Sequence, residues 1–264
     1  MRYKRPTIRW SLAAALLVVS SLWLAAQSTQ ETIPTWIVKV TVVEAEMPNL
    51  SENQRNIISK AMELDAHIAH PDCHFELDAT LEYIPSRVER FDPYAEEDSQ
   101  WTLISIEDRE PRERDHKQTP RYTRMSPNEA WYDLRRNIDW DSLKVANETA
   151  DRMSFVGVKK LEVGKDEFVP GEVILEIDKE EKVLEKVTIT MNEPHKINFF
   201  ATIAAMTMTQ NYRYDPSISR SMLHELSVDW KFRFFFARSS SKEHMVYRYE
   251  DCQPSSIIKS TTDQ

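Results

Sequence analysis

Three glycines in 264 residues is the most pronounced shortage in this chain, and it excludes a class of sites. A loop that cradles phosphate needs several positions without a Cβ, and neither a Walker loop nor a dinucleotide fingerprint is present. Also missing are the Gly-x-Ser-x-Gly elbow of a serine hydrolase and the His-Glu-x-x-His helix of a zinc protease. No linker rich in Ser, Gly or Pro and no internal repeat divides the chain, which favours one large β-rich domain. Positive charge is short as well, with 34 Lys and Arg against 43 Asp and Glu for a net charge of −9. Such a surface repels nucleic acid. The expectation is a protein that is not an enzyme and takes no cofactor.

The chain opens with basic residues and no acid. Arg2, Lys4, Arg5 and Arg9 precede the apolar run from Ser11 to Ala26. That is the plan of a signal peptide over residues 1–28, with Ala26-Gln27-Ser28 as the small-x-small cleavage site. An uncleaved inner-membrane anchor is the alternative. Either way residues 29–264 are expected to be exported, into a Gram-negative periplasm. Without the four leader cations the remaining chain has 30 basic and 43 acidic residues, a charge of −13.

Cysteine is rarer still: Cys73 and Cys252 are the two present. In an oxidising compartment they are expected to pair with each other. Closing so long a loop contributes up to ~5 kcal/mol in the chain-entropy model. Three of the seven histidines crowd around the first cysteine in HIAHPDCH, residues 67 to 74. On a helix, His67, His70 and His74 would share a face suited to a metal. Pro71 argues against this, because it disfavours helical geometry at His70 and donates no backbone hydrogen bond. The simpler expectation is a helix end at His67, a turn, and a disulfide cysteine entering a strand.

Hydrophobic patterning alternates between two periods. Residues 35–45 read as a first strand. Ser51 and Gln54 then bracket a capping box ahead of Ile57, Ile58, Ala61, Met62 and Asp65 to Ile68 at helical spacing. From Phe75 the period is two, with Leu77, Ala79, Leu81 and Tyr83 on the dry side. The same period recurs at Val173, Leu175 and Ile177, at Val183, Val187 and Ile189, and at Ala204, Met206, Met208, Tyr212 and Tyr214. Its clearest run is Leu226, Val228, Trp230, Phe232, Phe234 and Phe236, set against Ser227, Asp229, Lys231 and Arg233. A second helix is expected where Ser126, Pro127 and Glu129 form a start signal and Ala130, Trp131, Leu134 and Ile138 form the stripe. The acids Glu96, Glu97, Asp98, Asp108 and Glu110 are expected to be solvated surface, and DREPRERDHK, with Arg109, Arg112, Arg114 and His116, a mobile loop.

One stretch carries a resemblance. Arg90-Phe91-Asp92-Pro93, a short acidic loop, Trp101-x-Leu103-x-Ser105 and a tight turn closing at Pro111 resemble a signature of uncharacterised secreted proteobacterial proteins with a LolA-like fold, the fold of the periplasmic lipoprotein carrier. Those relatives commonly have Asp-Gly in the turn, whereas this chain has Glu107-Asp108 without glycine. Residues 187–214 look like the family's paired late strands. The likeness covers about residues 75–237, leaving 238–264 as a less supported tail. It implies an α+β fold: a curved, mostly antiparallel sheet, an incomplete barrel, with helices packed on its concave face.

In the carriers that concave space shelters acyl chains. A lipid or acyl-chain ligand is therefore expected here too, held by shape and burial at ~0.8 kcal/mol per methylene. Met206, Met208, Trp230, Phe232, Phe234 and Phe236 are the candidate lining, since methionine adapts to variable ligands. Two other readings remain: a cell-envelope interaction module with a filled core and a protein partner, and a metal-dependent hydrolase using His67, His70 and His74. A monomer is expected in each.

Overall fold

The computed structural model describes residues 47–66, 73–82, 84–96, 99–116, 137–164, 167–191, 193–235 and 237–252. The expected leader, the expected strand at 35–45, Tyr83, His67, His70, Phe236, the helix expected from Ser126 through Arg136, and the tail from 253 onward lie outside the described residues.

Helix α1 spans Glu52–Ala66 and starts as its sequence predicts. The Gln54 backbone N–H donates to Ser51 Oγ at 3.4 Å, while Gln54 Oε1 accepts from the Ser51 backbone N–H at 2.8 Å. The two groups satisfy each other's orphaned donors at the helix end. Ile57, Ile58, Ala61 and Met62 are buried and join the main apolar core.

Among the described residues eleven strands follow: β1 (His74–Leu81), β2 (Ile84–Phe91), β3 (Trp101–Ile106), β4 (Ile138–Glu148), β5 (Arg152–Gly164), β6 (Glu167–Asp178), β7 (Leu184–Met191), β8 (His195–Lys196), β9 (Ala201–Asp215), β10 (Arg220–Phe234) and β11 (Ala237–Glu250). All pair antiparallel in one sheet ordered β3-β2-β1-β11-β10-β9-β7-β6-β5-β4, with β8 on the side of β9. The last strand is thus inserted between β1 and β10. Among the described residues the outer strands β3 and β4 do not pair, so the sheet is not closed into a barrel.

Period-two patterning sets one core side along the sheet. Phe75, Leu77, Ala79 and Leu81 are buried on β1, and Tyr247 and Met245 lie opposite Leu77 and Ala79 on β11. Phe155, Leu175 and Val187 continue the row on β5, β6 and β7. The other side carries charge pairs between strands: Arg90 with Glu76 at 2.6 Å, and Arg248 with Asp78 at 3.1 Å. Exposed pairs of this kind contribute at most ~1 kcal/mol each.

Cys73 and Cys252 are joined as expected, their Cα atoms 4.0 Å apart across 179 residues of sequence. The bond lies just beyond the β1–β11 ladder, one residue before His74 and two after Glu250. Ile218 and Met222 pack on it in a small separate cluster.

Three expectations are corrected. Ile138 is not the end of a helical stripe: it begins β4, pairs with Lys159 and is buried in the sheet core. Its apolar side chain suits either period, and the sheet's demand for an edge partner decides. Ala204 does not share the dry side of β9. The register slips between the pairs Lys231–Ala205 and Phe232–Ile203, so a bulge absorbs Ala204 and Ile203 takes the core side. The stretch after β3 folds into a turn and a short helix rather than a loop. Glu107 and Asp108 have φ of 49° and 58°, and Ile106 and Arg109 exchange both backbone hydrogen bonds at 3.0 Å. Positive φ at both central residues is the primed hairpin turn, formed here without glycine. Helix α2 (Glu113–His116) follows, anchored by Asp115. Its carboxylate accepts from the Arg109 guanidinium and the Arg112 backbone N–H, both at 2.8 Å, which lowers the Asp115 pKa to about 2.

Candidate ligand-binding face

The core side of β10 changes character along its length. Leu226 and Val228 are buried, after which Trp230, Phe232 and Phe234 are only half-buried. The rings form a ladder, because residues two apart on a strand share a side. Trp230 and Phe232 have centroids 6.0 Å apart at 16°, and Phe232 and Phe234 are 6.0 Å apart at 27°.

Register sets the neighbours of the ladder. On β9, Met208 lies opposite Val228, Met206 opposite Trp230, Ile203 opposite Phe232 and Ala201 opposite Phe234. Met206 is buried and Met208 half-buried. On β11 the partners are small or polar: Glu243 opposite Val228, Ser241 opposite Trp230, Ser239 opposite Phe232 and Ala237 opposite Phe234. The result is an aromatic strip with a methionine and isoleucine flank on one side and a lower serine and alanine flank on the other. Five of the six expected lining residues therefore share one side of two adjacent strands, and Phe236 lies outside the described residues.

Glu243 is an acid in an apolar row, between Val228 on β10 and Leu81 on β1. Burial pushes its carboxyl pKa up. On the opposite side, Glu225 behaves in the reverse sense. It accepts from His244 Nε2 at 2.7 Å and from Asn211 Nδ2 at 3.0 Å, contacts that lower its pKa.

A second polar feature on the core side was not anticipated. Arg87 and Glu89 on β2 are 4% and 1% exposed, with Nη1 and Oε1 3.7 Å apart. Their parity with buried Phe91 was the available signal. Two charges at those positions concealed it.

Of the histidine cluster, His74 is described, while His67 and His70 lie outside the described residues. Helix α1 is described as far as Ala66, and His74 opens β1. Its Nε2 lies 3.2 Å from Asp92 Oδ1, and its ring tilts against Tyr94 with centroids 5.6 Å apart. As a strand residue, His74 does not hold the helical position that the metal-site alternative requires of it. Among the described residues no three His, Cys, Asp or Glu side chains converge in a metal-binding arrangement.

No protein-family model, curated protein or solved structure matches this chain.

Proposed function

We propose that this protein is a non-enzymatic, exported periplasmic binder of a lipid or other hydrophobic molecule, held against the aromatic ladder of β10. The observation that supports the reading is the half-burial of Trp230, Phe232 and Phe234 on the sheet's core side. Apolar rings left partly wet beside a packed core gain from any apolar occupant, at about 25 cal/mol per Å² removed from water. Flanking Met206 and Met208 accommodate chains of different shape. A LolA-like curvature, with helices over a concave side, would give such an occupant its shelter.

The competing reading is an envelope interaction module with a filled core. Its support is α1, whose Ile58 and Ala61 are fully buried in the same cluster as the sheet residues. The two separate by mass. The protein, released from a periplasm without detergent, is weighed by native mass spectrometry and then extracted with organic solvent. The binder reading expects lipid that is lost in Phe232→Asp or Phe234→Asp while the fold is retained. A mass equal to the bare disulfide-closed chain sinks it in favour of the interaction module.

A further inference from the structure

The β9–β10–β11 end of the sheet extends beyond its neighbours. Pairing of β1 with β11 stops at Leu81 and Glu243, so residues 237–242 continue without it. Pairing of β7 with β9 stops at Met191 and Met206, so residues 201–205 do the same, joined among the described residues by the two residues of β8. At ~3.4 Å per residue this three-stranded finger runs about 20 Å past β1.

Three phenylalanines crown it. Phe199 is 82% exposed, Phe200 61% and Phe235 55%. Their rings touch one another, with centroids 5.2 to 5.6 Å apart. They are held in place. Asn198 Oδ1 accepts from the backbone N–H of Phe200 and of Ala201 at 2.8 and 2.9 Å, and the Phe235 N–H donates to the Phe200 carbonyl at 3.2 Å. Phe235 has a φ of 36°, the left-handed region a bulky side chain rarely occupies. A turn built for stability alone would place glycine or asparagine there.

The charge around the tip departs from the rest of the chain. Residues 230–242 contain Lys231, Arg233, Arg238 and Lys242 and no acid, and residues 195–205 add Lys196 and no acid, in a chain of net charge −9. Arg233 and Arg238 are register partners one step from the turn. Like charges placed opposite each other repel, and an anionic surface relieves that repulsion.

We propose that this finger docks on the surface of an anionic lipid bilayer, Phe199, Phe200 and Phe235 entering the interface and Arg233 and Arg238 meeting the headgroups. Exposed rings backed by cations are the recognised chemistry of interfacial anchoring, with insertion of ~5–10 Å. The inference does not rest on the ligand reading, since a protein with a filled core would present the same tip.

The test uses the full chain with its disulfide oxidised and a nitroxide attached through Phe199→Cys, mixed with vesicles of phosphatidylglycerol and phosphatidylcholine. The expected result is a label that oxygen reaches and a water-soluble nickel chelate does not, while the same label at Ser217→Cys, in the turn at the opposite end of β9 and β10, remains open to nickel. Arg233→Gln with Arg238→Gln should lower the ratio of immersed to exposed tip label about 25-fold, at ~1 kcal/mol per basic residue near an anionic surface. Phe200→Ser with Phe235→Ser should release it as well. A tip label that nickel reaches on these vesicles overturns the proposal. So does equal immersion on pure phosphatidylcholine, or spin–spin broadening in lipid-free solution, which would make the tip a contact between two copies.

Discussion

Glu243 puts an ionisable group in an apolar row, and its consequence has a definite sign. Burial holds the folded-state pKa above the unfolded value of about 4.3. Below that value both states are protonated, and the group costs nothing. As pH rises through the unfolded pKa, the unfolded chain releases its proton first, and stability falls until the folded pKa is passed. Glu243→Gln removes the ionisation and keeps the shape. The variant should gain stability over the parent at pH 7 and lose that gain near pH 3.5, read from urea midpoints at both values. A gain independent of pH would show that the carboxylate is not disfavoured by its surroundings.

At the scale of the element, β2 raises the question of what a charged pair does on the core side of a strand. Breaking a buried ion pair by removing one member costs about 3–5 kcal/mol, whereas replacing both with apolar groups is often close to neutral. Arg87→Met should therefore lower stability by ~3 kcal/mol or more, and Arg87→Met with Glu89→Leu by much less, measured by chemical denaturation as a double-mutant cycle. Additive losses would mean that the two side chains act separately. The elements differ in how far their sequence announced them. The alternation of β1 and β10 and the capping box of α1 were legible because each rests on residues within one element. The bulge at Ala204 was not, because it is set by the register against Phe232 on the neighbouring strand. Ile138 misled for a related reason: it is apolar in either period, and its partner Lys159 lies on another strand. The ladder was found as part of a strand pattern. The phenylalanine tip was overlooked, because Phe199 and Phe200 come together with Phe235 only through a loop contact between residues far apart in the chain.

For the whole molecule, the disulfide and the strand order act on the same seam. Replacing Cys73 and Cys252 together with alanine should cost about 2–5 kcal/mol, the range for a native bridge and near the long-loop limit. A thermal melt with and without reductant measures it, and an unchanged midpoint would show that the paired strands alone hold the ends. The strand order was beyond reach of the sequence, since nothing in residues 237–250 states that they enter between β1 and β10 rather than lie at an edge. That insertion has a consequence in time. β1 to β3 can form hairpins as soon as they are made, and β4 to β10 can assemble among themselves, yet the two groups have no partner strand in common until β11 arrives. His74 waits for Glu250, and Leu81 for Glu243. Closure over such separations is slow. A ribosome that still holds residues 237–250 therefore holds the sheet in two unfinished pieces, and they join only when that strand is free to pair with both.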